Sequence, residues 1–135
     1  MIAPDTSVVI AALSPWHEGH GRARAALLET SDRALVGHVA LETTSALSRM
    51  PAAHRVAPAV TLEALTLAFP DDWLVLDAEA LRATLGTLVR AGVRGGALCD
   101  GVIGLTALHH GATLVSADRR AASTYDALGV PAVFV

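Results

Sequence analysis

Four acidic residues stand where an apolar run meets the start or end of a structural element. They are Asp5 in MIAPDTSVVI, Glu42 in HVALETTSALS, Asp100 in ALCDGVIGLTA and Asp118 in ATLVSADRRA. Asp5 and Asp118 each close a short apolar run of buried-strand length, and Glu42 and Asp100 sit near the start of apolar helical patterns. Carboxylates in such company are costly to bury unless they are paired or bind a cation. Gathered together, the four would make an oxygen-lined pocket for hard divalent ions. Two such ions about 3.5–4 Å apart activate a water and stabilise the charge that grows as a phosphodiester is cut. The set therefore points to a metal-dependent phosphodiesterase or nuclease.

Roles follow from position. Asp5, Asp100 and Asp118 are expected as direct or water-mediated ligands of Mg2+. Glu42 is expected to bind metal-bound waters or the second ion. Magnesium keeps several waters and takes only one or two carboxylates per ion, so three or four acids suffice for a pair. Thr6 and Ser116 lie within two residues of an acid and offer hydroxyls to orient a carboxylate or touch a phosphate. Arg119 follows the fourth acid and is a candidate contact to a nucleic-acid backbone. Each acid also has a plainer reading. Asp5 and Asp118 suit helix caps, Asp100 suits the positive end of a helix, and Glu42 suits a solvated helix face. The metal reading draws its strength from the set.

The elements that must position these residues are legible in outline. Strands are expected over 1–5, 34–37, 73–76, 112–116 and 130–135. Helices are expected over 6–13, 17–30, 38–50, 58–69, 78–90, 97–110 and 119–128. Pro51 and Pro70 end helices and Pro58 opens one. Gly92, Gly111 and Gly129 stand at helix C-termini. Strands alternating with helices argue for an α/β fold with a short, mostly parallel sheet flanked by helices. In such sheets, sites collect at the carboxyl ends of strands, where Asp5 and Asp118 stand.

The bulk numbers agree with one domain over 1–135. Of the 135 residues 53% are hydrophobic and only 4% aromatic, so the core must be built from Ala, Leu and Val. A lone cysteine, Cys99, excludes an internal disulfide and suits a reducing cytoplasm. The N-terminus lacks the basic and apolar regions of a signal peptide, and no apolar run is long enough to span a membrane. The net charge of −3 argues against a non-specific nucleic-acid coat. It does not exclude a nuclease, because bound divalent ions reverse the sign of an acidic pocket locally. All ten basic residues are arginine.

The four motifs in this order resemble the PIN-domain family, and more narrowly the VapC-type toxins of VapBC toxin–antitoxin systems. The resemblance runs through Asp5-Thr6-Ser7 after the first strand, Glu42 in LETTSALSRM, Asp100 in GGALCDGVIGLTA, and Leu114-Val115-Ser116-Ala117-Asp118-Arg119. The tail from Tyr125 to Val135 is similar to the close of these toxins, so the likeness spans essentially the whole chain. It implies a Mg2+- or Mn2+-dependent endoribonuclease that cleaves cellular RNA of the tRNA or rRNA class. It also implies a VapB-like antitoxin that blocks the site, and homodimers. The chain departs from the pattern in three places. A further Asp found in some relatives after the fourth acid is absent, with Arg120, Ala121 and Ala122 there instead. Cys99 stands where many relatives have an aromatic residue or His, and Ser116 replaces a common Thr.

Several other readings complete the set. A non-catalytic PIN-fold module acting with an antitoxin as a transcriptional corepressor is the alternative to the nuclease. A receiver-like phosphoacceptor would want a lysine near its acids, and the chain has none. Oxidation of Cys99 would disturb the neighbouring Asp100. His17 with His20, and His109 with His110, lack the partners of structural zinc sites and read as surface or helix-end residues. Leu13, Trp16 and the Ala/Leu face of 17–30 are a candidate antitoxin groove. Asp71-Asp72 reads as a solvated turn.

Overall fold

The computed structural model describes residues 1–71 and 73–135. The described residues form β1 (Ile2–Pro4), α1 (Thr6–Leu13), α2 (His20–Leu28), α3 (Gly37–Ser48), α4 (Pro58–Ala68), α5 (Ala78–Arg90) and α6 (Ala97–His109). They continue with β2 (Thr113–Ser116), a 3₁₀ turn (Arg119–Ala121), α7 (Ala122–Ala127) and β3 (Ala132–Phe134). The strands lie in the order β1-β2-β3, and both pairs are parallel. Ile2 faces Thr113 and Pro4 faces Val115, and Leu114 faces Ala132. The fold is α/β with a parallel sheet and helices around it, as the alternating pattern implied.

Two expected strands are present in reduced form. Residues 34–37 and 73–76 share a single parallel bridge, Val36 with Leu74, and Arg33, just before the first of them, bridges Ile2. They extend the layer beyond β1, but the chain leaves each ladder at once: α3 starts at Gly37, and Asp77 caps α5 by accepting from the Ala80 N–H at 2.8 Å. Helix α2 begins at His20 instead of His17, because the chain first turns twice, through His17 N–H to Ser14 O and His20 N–H to His17 O. The expected last helix is split into the 3₁₀ turn and α7, since the Asp118 side chain takes the Arg120 N–H and tightens the first turn. Asp72 lies outside the described residues, so the Asp71-Asp72 turn is only half described.

The sheet is the floor of the core. Ala3, Leu35 and Leu114 are fully buried, with Val9, Val39, Leu65, Ile103, Ala107 and Tyr125 packed around them from α1, α3, α4, α6 and α7. Burial of each aliphatic side chain of this size contributes roughly 1.5–3 kcal/mol. Truncating Leu114 to Ala would therefore remove about 2–5 kcal/mol, cavity included. Helix α6 ends in a Schellman cap. Gly111 adopts φ +70°, Gly111 N–H reaches Leu108 O, and Ala112 N–H reaches Ala107 O. That cap turns the chain directly from the helix carrying Asp100 into the strand that leads to Asp118.

Candidate active site

The carboxyl ends of β1 and β2 lie side by side, and this places Asp5 beside the loop that carries Asp118. Asp5 N–H donates to Val115 O at 2.8 Å, continuing the β1–β2 ladder. The Asp5 side chain then caps α1, its Oδ1 accepting from Val8 N–H at 3.1 Å and from the Ser7 hydroxyl. Ser7 Oγ in turn accepts from Ala117 N–H at 2.9 Å. One serine thus stitches the first acid to the loop before the fourth. Asp5 is a helix cap as well as a site residue, and the two readings of the sequence coincide in one side chain.

The second oxygen of Asp5 accepts from the Tyr125 hydroxyl at 3.4 Å, inside the core. Asp5 is 4% exposed, and burial raises its carboxyl above the ordinary range, with the Ser116 and Ser7 hydroxyls opposing. Ser116 is fully buried at the end of β2, and its Oγ accepts from Asp118 N–H at 3.0 Å. The hydroxyl expected to support an acid therefore touches both strand-end acids.

Glu42 comes from the second turn of α3, with its oxygens divided. The Thr6 hydroxyl donates to Oε2 at 2.6 Å, and His38 Nε2 lies 3.7 Å from Oε1, one turn back on the same helix. Asp100 comes from the first turn of α6, half-buried. Its carboxyl is raised first by burial, then by the negative charges of Glu42, Asp5 and Asp118, with Arg120 opposing. The other three sequence-predicted acids, each from a different part of the fold, are thus within electrostatic reach of Asp100.

Asp118 differs from the other three. Arg120 grips it in a bidentate pair, Nε to Oδ1 and a terminal nitrogen to Oδ2, both at 2.9 Å, and its backbone N–H also reaches Oδ1. The pair holds the Asp118 carboxyl below its ordinary value. Arg119, the arginine singled out from sequence, instead lies exposed with its guanidinium 5.8 Å from the centre of the Phe134 ring.

Sequence reasoning missed Tyr125, His38, Ser7 and Arg120 as neighbours of the acids. Tyr125 is fully buried, and burial and the charges of Asp5 and Asp100 push its hydroxyl far above the usual range, so it is a neutral donor. A tyrosine in an otherwise ring-poor chain was the one available signal. Three other histidines hold backbone: His20 Nδ1 meets Ala11 O at 2.9 Å, His17 Nδ1 accepts from Gly19 N–H, and His110 Nε2 meets Val75 O. Burial and Glu42 raise the Cys99 thiol.

The donor set is one of hard oxygens: three carboxylates crowded with few cations, a fourth shared with arginine, and hydroxyls from Thr6, Ser7 and Ser116. Like charges packed this closely raise one another unless a cation enters, so the residues fit Mg2+ or Mn2+. Away from the acids, an apolar cleft of about 240 Å³ opens between α1, α2 and α4, lined by Val9, Leu13, Leu27, Leu28 and Phe69, with Arg24 among its lining residues. Trp16 is not part of it and stacks on His54, 4.2 Å between ring centres. No helix among the described residues is long and apolar enough to cross a membrane.

Comparison with known proteins gives one consistent answer. The PIN domain family matches residues 2–127. Ribonuclease VapC40 of Mycobacterium tuberculosis is 42% identical over 130 residues, covering 96% of this chain and 96% of that protein. Ribonuclease VapC27 of the same organism is 36% identical over 132 residues, covering 98% and 95%. Among solved structures, FitAB bound to an IR36 DNA fragment matches with a TM-score of 0.73 at 20% identity, over 99% of this chain and 94% of that one. VapBC2 from Rickettsia felis, bound to a DNA fragment from its promoter, matches at 0.68 and 16% identity over 100% and 99%.

Proposed function

The chain belongs to the PIN-domain family, in its group of VapC-type ribonuclease toxins, and on that footing we propose that residues 1–135 form one PIN domain acting as a metal-dependent endoribonuclease toxin. The observation that supports the site is the Asp100 carboxyl, raised by burial and then by the charges of Glu42, Asp5 and Asp118, which places all three acids within its electrostatic reach. Asp5, Glu42, Asp100 and Asp118 are the residues that would hold Mg2+ or Mn2+. Bound there, the ions supply an activated water and stabilise charge on the cleaved phosphodiester.

The chain's own residues do the rest. Ser7, Ser116 and Tyr125 fix the direction of Asp5, and Thr6 fixes one oxygen of Glu42. Such orientation keeps the donor oxygens aimed before substrate arrives, which is where enzymes gain most from positioning. Arg119, exposed beside Phe134, offers a cation to the RNA backbone. The substrate is a single-stranded segment, a tRNA or rRNA loop, where unstacked bases are open to contact, and the protein acts in the cytoplasm where such RNA lies.

A VapB-like antitoxin is the expected partner. An amphipathic segment of it fits the cleft between α1, α2 and α4, apolar along its floor with Arg24 available for an acidic side chain. A homodimer contact is offered by Leu81, Leu85 and Val89, an exposed stripe at four-residue spacing on α5. The FitAB and VapBC2 complexes are bound to DNA, which favours a second role, promoter binding as corepressor with the antitoxin. Incubating wild type and Asp5→Ala with total cellular RNA in Mg2+, Mn2+ and EDTA tests the first reading. Metal-dependent fragments from wild type alone are expected. No cleavage by folded, antitoxin-free protein in either metal would shift the reading to the corepressor. Asp100→Asn separates the roles, losing cleavage and keeping promoter binding.

A further inference from the structure

One side of Glu42 faces a different chemistry. His38, Glu42 and Cys99 each offer one ligand atom, and these atoms all lie within 4.8 Å of one another. His38 and Glu42 are one turn apart on α3, and Cys99 reaches across from the first turn of α6, so two helices fix the three positions. On a tetrahedral ion with the usual zinc bond lengths, neighbouring ligand atoms stand roughly 3.3–3.6 Å apart. His38 and Glu42 are already 3.7 Å apart. Closing the remaining distances requires side-chain movements of about 1 Å, well within rotamer freedom.

The set is nitrogen, oxygen and sulfur, a combination that selects zinc-class ions over magnesium. All three residues are half-buried and line a cleft of about 550 Å³ together with Thr6, Ser45 and Arg49. The cleft gives an ion entry and leaves a fourth position for water. Glu42's other oxygen is the one held by Thr6, beside Asp5. The same carboxylate therefore belongs to two sets of ligands, hard on one side and soft on the other.

We propose that His38, Glu42 and Cys99 form a binding site for a thiophilic divalent ion of the zinc class, and that its occupation withdraws Glu42 from the hard-ion cluster and stops cleavage. Cys99 enters as thiolate, releasing its proton to solvent. The second half of the proposal rests on the nuclease reading above; the first does not.

Cobalt titration of the purified full chain, without magnesium, tests the site directly. A thiolate-to-cobalt charge-transfer band and tetrahedral visible bands are expected at one equivalent, absent in Cys99→Ser. Loss of even an outer partner of a metal site weakens affinity by about 10–100-fold, so His38→Ala should weaken cobalt binding at least about tenfold. No band in wild type, or unchanged affinity in His38→Ala, overturns the site. RNA cleavage is then measured in saturating Mg2+ with rising Zn2+. Wild type should be inhibited, and Cys99→Ser, cleaving as wild type without zinc, should need at least about tenfold more zinc for the same inhibition. Equal inhibition of the two proteins overturns the brake. If wild type does not cleave RNA at all, the cobalt result stands alone and the failure belongs to the nuclease reading.

Discussion

The hydroxyl of Tyr125 donates to the inner oxygen of Asp5 across 120 residues of sequence. Both groups are buried. The tyrosine is packed against Gly104, where an added Cβ would come within 3.1 Å of its ring. The close approach of α6 to α7 thus presses the phenol toward the first acid.

Tyr125→Phe keeps the ring and removes the donor. A hydrogen bond of this length contributes at the low end of the usual range, about 0.5–1 kcal/mol, so Tm should drop by a few degrees with the circular dichroism spectrum unchanged. The sharper effect is on Asp5, left buried with one donor fewer. More Mg2+ should be needed for half-maximal cleavage, with the saturated rate little changed. A variant with wild-type magnesium dependence would reduce Tyr125 to a packing residue.

Asp100→Asn should abolish cleavage and stabilise the metal-free protein. The sign follows from the raised carboxyl. Above both the unfolded and folded values the ionised group disfavours the fold, and a neutral amide removes that penalty. Melting at pH 7 in EDTA should show the variant higher by roughly 3 °C. The gain should shrink as pH falls toward the unfolded value and vanish below about pH 3, where wild-type Asp100 is protonated folded and unfolded alike. Added Mg2+ should raise the Tm of wild type more than that of the variant. A variant less stable than wild type in EDTA at pH 7 would refute the crowding of charges.

Arg120→Ala should make the metal site tighter. The guanidinium occupies both oxygens of Asp118, but it is fully exposed, and exposed ion pairs contribute little. The Mg2+ required for half-maximal cleavage should fall by about two- to threefold in magnesium titrations at low salt. A rise instead would mean that Arg120 holds Asp118 in its working position.

Arg119→Ala should weaken RNA binding without changing metal dependence. Loss of one phosphate contact on single-stranded RNA lowers the slope of log affinity against log salt by about 0.7. An unchanged slope, measured by fluorescence anisotropy with Asp100→Asn as the inactive background, would leave Arg119 as a cap on Phe134 only.

Much of this was legible in the chain. Asp5, Glu42, Asp100 and Asp118 announce themselves because a carboxylate in an apolar run needs a reason. The parallel sheet follows from apolar runs alternating with helices. The terminators Gly111 and Gly129 both sit at positive φ, as their places predicted. The strand at 34–37 was overestimated because apolar composition cannot say how many residues pair before a helix begins. Tyr125 and His38 were silent because their meaning lies in contacts, one across the chain and one shared with a cysteine 57 positions from Glu42. Arg119 and Arg120 are indistinguishable as letters, and only the tightened turn after Asp118 decides which one reaches back.

The stitch between Ser7 and Ala117, and the bond from Tyr125 to Asp5, join the opening of the chain to its close. Synthesis proceeds from the N-terminus at about 5–20 residues per second. A ribosome making this protein therefore carries Asp5 and Glu42 unassembled for most of translation, and the cluster closes only after Asp100, Asp118 and Tyr125 have been added. The cell that makes the enzyme is spared its activity until these late residues have been made, an interval in which an inhibitor already present can be waiting.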